Sequence, residues 1–160
     1  MNKFLVLGDT GYLGSYIANF LSKTEQVYGV SRSEFKPNNF THITGDLSDK
    51  SFIKKVLKVA SPTHIFIFSG LANLEACESN INNALTLNCL PVTNLIEELD
   101  KTELSPQLIF SSTIYVFGHT EKKVYTEEDH SSPVNIYGLT KACLLYTSPS
   151  PRDYAWAHMP

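Results

Sequence analysis

The chain has 160 residues, 42% of them apolar, with 13 basic and 16 acidic side chains and a formal net charge of −3. That length supports one domain with a real core, and the mild acidity leaves no basic stripe for nucleic acid or an anionic membrane. The expected partner is therefore a small molecule.

Three cysteines, Cys77, Cys89 and Cys143, show no Cys-x-x-Cys spacing. They argue against a disulfide framework and a zinc site, and are expected to be buried free thiols of a cytoplasmic protein. No run approaches the roughly 20 apolar residues of a membrane span. The opening MNKFLVLGDTG is broken by Gly8-Asp9 too early for a signal-peptide core.

Short apolar runs alternate with amphipathic segments, the pattern of β-α-β units around a parallel sheet. KFLVLG predicts a first strand. YLGSYIANFLSK predicts a helix with Leu13, Ile17, Phe20 and Leu21 at helical spacing. QVYGVSR and THITGDL predict the second and third strands. SDKSFIKKVLKVA opens with a Ser/Asp cap and carries Phe52, Ile53, Val56 and Leu57 on one face. THIFIFSG predicts a fully buried strand, ALTLNCLPVTNLIEELD a helix kinked or restarted at Pro91, and PQLIFSST a fifth strand. The fold expected is a doubly wound α/β parallel sheet, a Rossmann fold.

The first strand runs directly into GDTGYLG, residues 8–14, with glycines at Gly8, Gly11 and Gly14. A glycine-rich turn between strand and helix lets backbone approach a pyrophosphate and aims free N–H groups and the helix dipole at it. Thr10, Tyr12 and Leu13 share that turn. A tight turn with no ligand is the alternative, and Asp9 favours it unless its carboxylate points away.

The Gly-x-x-Gly-x-x-Gly spacing resembles the extended short-chain dehydrogenase/reductase family, and four later stretches match it in order. GDLSD is similar to the family's Asp-Leu pair, which implies that Asp46 bonds the adenine amine and Leu47 packs on the ring. FSGLA resembles the strand-end loop on the nicotinamide side, implicating Phe68, Ser69, Gly70 and Leu71. FSSTIYVFG resembles the strand carrying the catalytic Ser/Thr, here Thr113, and PVNIYGLTKA carries Tyr-x-x-x-Lys at Tyr137 and Lys141. Asn88 matches a frequent asparagine of the family's long helix. The resemblance covers about residues 1–142.

Tyr137 and Lys141 are four apart, so on a helix they share a face. There the ammonium is expected to lower the phenol's pKa, making Tyr137 the general acid/base while Thr113 holds the same substrate oxygen. The resemblance implies that Lys141 also reaches the nicotinamide ribose. At the end of the second strand stand Ser31 and Arg32 with no acid, which points to NADP, with NAD as the alternative.

The family resemblance implies a nucleotide-sugar substrate and allows a homodimer of a longer parent. Thr113 is followed by Ile114-Tyr115 rather than the Asp-Glu of the dehydratases. The expected activity is reduction of a 4-ketosugar, with sugar epimerisation as the alternative and a non-catalytic NADP-binding subunit as a third reading. His42, His64, His119 and His130 lack metal-ligand spacing and read as loop or strand-end residues, and the acids Glu127, Glu128 and Asp129 as a solvated cluster.

The end of the chain departs from this pattern. Pro149 and Pro151 would break the catalytic helix soon after Lys141. The segment CLLYTSPSPRD resembles a translated sequencing adapter, so residues 143–160 are expected to be a non-native tail, poorly ordered or packed without specificity, on an incomplete domain of residues 1–142.

Overall fold

The computed structural model of the chain describes residues 2–118, 124–126 and 128–147. Among them, five parallel strands form one sheet in the order β3-β2-β1-β4-β5. These are β1 (Lys3–Leu7), β2 (Gln26–Ser31), β3 (Thr41–Thr44), β4 (His64–Ile67) and β5 (Gln107–Phe110). The first strand made is the sheet's centre: Phe4 pairs with Val27 on one side and with His64 on the other.

Helices cover both faces, as the alternating pattern predicted. α1 (Tyr12–Leu21) packs Ala18 against Phe4, Val6 and Val27. The opposite face carries the larger core, where α2 (Lys50–Ala60) sets Ile53, Val56 and Leu57 against Leu5, Leu7, Ile65 and Ile67. Each such side chain removed from water contributes about 1.5–3 kcal/mol. Asp49 caps α2 by accepting from the Ser51 N–H at 2.8 Å.

The helix predicted over residues 84–100 is two, α4 (Ile81–Asn88) and α5 (Leu90–Leu99), preceded by the short α3 (Leu74–Ser79). Asn73 and Asn80 cap α3 and α4, and Pro91 sits in the first turn of α5, where its missing N–H costs nothing. Val92, Leu95 and Leu99 complete the larger core.

Two expectations need correction. β4 is not fully buried: Ile65 and Ile67 are, whereas His64 and Phe66 are only partly covered. The larger core lies over one face of β4, while α1 lies over β1 and β2 on the other. The cysteines do not share one environment, since Cys77 is buried, Cys89 half-buried and Cys143 exposed. α6 (Ile136–Thr147) carries Tyr137 and Lys141, and Leu144, three residues beyond Lys141, turns inward into the larger core. The remainder of the predicted tail, residues 148–160, lies outside the described residues, as do His119 and Glu127.

Candidate functional site

The carboxyl ends of β1, β2 and β4 open onto a cleft of about 230 Å³, which places it where doubly wound sheets hold ligands. Gly8 adopts φ +94°, and a Cβ there would stand 2.7 Å from the Ser69 backbone nitrogen, so only glycine lets the β1 turn approach the β4 loop this closely. A Cβ on Gly14 would overlap the Gly8 carbonyl, so α1 is seated directly on the turn. Gly11 is the N-cap of α1, and no side chain caps that end. The first-turn N–H groups are left facing the turn with the positive end of the helix dipole behind them. This bare cradle fits the pyrophosphate of a dinucleotide. Asp9 does not oppose it, because its carboxylate is fully buried and lies against the His42 ring instead.

The far end of the cleft is formed by Ser31, Arg32, Asp46 and Leu47, together with Thr10 of the turn. Arg32 is exposed on the cleft wall. Ser31 is buried and donates its hydroxyl to the Ser33 carbonyl at 3.2 Å. Asp46 accepts from the Ser48 N–H at 2.8 Å and keeps an exposed carboxylate, while Leu47 is buried among core residues. Ser33, Gly45, Ser48, Leu87 and Pro91 also line the cleft. Sequence reasoning missed these, because only the pairing of β3 with β2 and the packing of α4 and α5 bring them together.

Phe68, Ser69 and Gly70 line both this cleft and an adjoining cavity that contains Leu13, Ser111, Tyr137 and Lys141. Lys141 is only 5% exposed. Its ammonium donates to the Ser111 carbonyl at 3.3 Å and stands 4.5 Å above the Phe110 ring. Burial lowers its pKa, partly opposed by the nearby Cys89 thiol.

Tyr137 departs from expectation. Its pKa is raised, by burial first and then by the Cys77 thiol. The Lys141 ammonium is 5.9 Å from the Tyr137 ring and is committed to Ser111 and Phe110, so it does not offset that burial. The phenol is thereby held in its protonated form, as a donor.

Thr113 lies in a neighbouring depression with Ser112, Phe117 and Tyr125. Its oxygen accepts from the Tyr115 N–H at 3.4 Å, and among the described residues its own O–H is left to donate. Tyr12 is 96% exposed, and its side chain belongs to an outer groove with Tyr16 and Phe20 rather than to the cleft. Asn88 and Leu71 stand behind the cavity. The Asn88 amide bonds both the N–H and the C=O of Leu71 and donates to the Thr140 hydroxyl at 3.0 Å, and Thr140 donates to the Tyr137 carbonyl at 2.7 Å. One buried side chain thus ties the β4 loop to the helix bearing Tyr137 and Lys141.

Two further supports were not legible in the sequence. Glu78 accepts from the Ile136 N–H at 2.7 Å, capping α6 from α3 across 58 positions of sequence. Gly138 admits the Tyr115 carbonyl carbon, which would be 2.9 Å from a Cβ, so α6 can press against the short 3₁₀ turn Ile114–Val116.

A glycine-seated cleft at the carboxyl end of a doubly wound parallel sheet, opening onto a half-buried tyrosine and a buried lysine in Tyr-x-x-x-Lys spacing, defines a class of Rossmann-fold protein. The chain belongs to the extended short-chain dehydrogenase/reductases, and the family model described as RmlD substrate binding domain matches residues 1–143. UDP-glucuronate 4-epimerase 1 of Arabidopsis thaliana is 26% identical over 153 residues, an alignment covering 86% of this chain and 36% of that protein. A dTDP-4-keto-6-deoxy-D-glucose reductase of Streptomyces niveus is 27% identical over 141 residues, covering 88% of this chain and 45% of that one. The chain therefore spans less than half the length of these relatives. The fold matches that of UDP-glucose 4-epimerase from Brucella ovis in complex with NAD at a TM-score of 0.84, with 21% identity over 99% of this chain and 49% of that structure.

Proposed function

We propose that the longer protein to which this chain corresponds is an NADP-dependent oxidoreductase that reduces a nucleotide-linked 4-ketosugar. The observation that carries the reading is the shared wall Phe68–Ser69–Gly70, which joins the glycine-turn cleft to the cavity holding Tyr137 and Lys141. A dinucleotide seated at the turn would be held by the α1 N-terminus, with Arg32 beside its adenosine end and Lys141 beside its far end. When bound, the nicotinamide supplies the hydride.

The chain's own residues handle the proton. Tyr137 donates its phenolic proton to the substrate oxygen, and Thr113 fixes that oxygen with its own O–H. Lys141 places a positive charge beside both. Arg32, with no acid at the end of β2, supports NADP over NAD.

A second reading is favoured by the epimerase relatives and by two structurally similar UDP-glucose 4-epimerases solved with NAD: an NAD-dependent sugar-nucleotide epimerase. We further take residues 1–142 as an incomplete Rossmann domain and residues 143–160 as a non-native tail. The family match running only to residue 143 supports that division.

The test is nicotinamide absorbance with the full-length parent and a panel of nucleotide-linked ketosugars. Stoichiometric loss of NADPH absorbance is expected. Interconversion of sugars with no net absorbance change would instead establish the epimerase, and failure with every substrate and both cofactors would overturn both readings.

A further inference from the structure

The β2 end lacks an acid, yet an acid is buried directly beneath it. Asp9 leaves the glycine turn and passes under β2 at Gly29, where a Cβ would overlap the carboxylate, its carbon only 2.6 Å away. A glycine in the middle of a buried strand is unfavourable unless something must approach its backbone, and here the carboxylate does. Asp9 Oδ2 lies 2.6 Å from His42 Nδ1, and the other ring nitrogen, Nε2, lies 3.1 Å from the Ser33 carbonyl oxygen. Both ring nitrogens thus face oxygens, so the hydrogen bonds are satisfied when the pair together carries two donor protons and no net charge. Phe35 closes the site from above, edge-on to the imidazole at 5.8 Å. Asp9 Oδ1 has no hydrogen-bond partner, so His42 alone compensates the carboxylate among the described residues.

The same imidazole acts on the cleft through the Ser33 carbonyl. Ser33 lines it next to Arg32, and its carbonyl is held twice, by His42 and by the Ser31 hydroxyl. We propose that the Asp9–His42 pair is a charge-neutral hub that positions the Arg32–Ser33 turn and sets the cleft's tolerance for a 2′-phosphate, with His42 as the specificity-determining positioning residue. This rests on the reading of the cleft as a nicotinamide-dinucleotide site. Without the imidazole, a buried carboxylate is left uncompensated below the turn, and the Ser33 carbonyl loses one of its two anchors. Both changes act against a dianionic phosphate and leave a free ribose hydroxyl nearly indifferent.

The experiment measures dissociation constants for NADPH and NADH by fluorescence titration on the unmodified chain, H42Q and the double variant D9N/H42Q. H42Q is expected to shift the NADPH-to-NADH affinity ratio against NADPH by about tenfold or more, given the Coulomb energy of charges this deep in a protein. The double variant, which removes the carboxylate as well, should return most of that ratio.

A merely structural role would weaken both cofactors equally. An equal loss, an unchanged ratio in H42Q, or a double variant no better than H42Q overturns the proposal. Should H42Q fail to fold, G29A keeps both side chains and displaces the carboxylate, and an unchanged ratio there is equally decisive. The shift is read relative to the unmodified protein whichever cofactor that protein prefers, so a native preference for NADH would refute the NADP assignment without deciding the fate of the hub.

Discussion

Gly14→Ala isolates the seating of α1 on the glycine turn. A Cβ at position 14 would overlap the Gly8 carbonyl oxygen, lie 2.8 Å from its carbon and 3.2 Å from the Asp9 Cα, where ordinary contact begins at 3.4 Å. All three atoms are backbone, so the helix must retreat by at least half an ångström. Overpacking of this kind costs about 1–3 kcal/mol, and the gain in helix propensity from Gly to Ala returns up to about 1 kcal/mol. The net loss of stability is about 0–2 kcal/mol, up to roughly 8 °C in Tm for a domain of this size. Cofactor affinity should fall further, by about tenfold or more, because the α1 N–H groups are withdrawn from the turn.

Gly11→Ala is the complementary change. Its Cβ would meet only the Gly8 carbonyl oxygen, at 3.3 Å, so stability should barely move, yet a methyl at the exposed N-cap intrudes on the cradle. Thermal unfolding followed by circular dichroism and titration with NADPH separate the two effects. If Gly14→Ala binds as tightly as the unmodified chain, or if Gly11→Ala loses affinity only in proportion to lost folding, the assignment of the turn to pyrophosphate is wrong.

Arg32→Ala should erase any preference for NADPH over NADH while leaving NADH affinity nearly unchanged, and equal affinities in the unmodified protein would contradict the premise. In the full-length parent, Tyr137→Phe should abolish turnover with cofactor affinity nearly intact, because its proton acts in the transition state; near-normal kcat would refute its role. Lys141→Met should stabilise the chain while destroying activity. The burial-lowered pKa of Lys141 means the folded state binds fewer protons than the unfolded one, so the gain is full below the lowered value and vanishes as pH rises past the ordinary 10.5; denaturant melts from pH 7 to 11 should show the two stabilities converging. Asn88→Ala strands the Leu71 N–H and C=O and should cost about 2 kcal/mol, read as a lower denaturant midpoint at unchanged slope.

What the sequence made legible was local. The KFLVLG run, the glycine spacing, the caps of α2 and the break at Pro91 each declare themselves within a dozen residues, because strand burial, turn geometry and helix termini are set by near neighbours. The four-residue separation of Tyr137 and Lys141 correctly placed them on one face, but the direction of the phenol's pKa depends on how deeply both groups are buried, and spacing carries no burial. His42 lies 33 positions from Asp9 and Glu78 lies 58 from Ile136, so neither pairing leaves a mark in sequence periodicity. The half-covered β4 was misread for a related reason: THIFIF is continuous in apolarity, and only the disposition of helices on the two faces decides which of its residues meet them.

The sheet's central strand is made before either of its neighbours, and that has a consequence for synthesis. β1 finds β2 after 23 residues, but its other edge waits for β4, with Phe4 opposite His64. At ribosomal rates of about 5–20 residues per second, those 60 residues of separation leave KFLVL with an unpaired edge for roughly 3–12 s. During that interval β1, with four of its five residues destined for burial, is a half-built template open to pairing with any other nascent chain. Dependence on chaperones should therefore concentrate in the interval between the synthesis of β1 and that of β4.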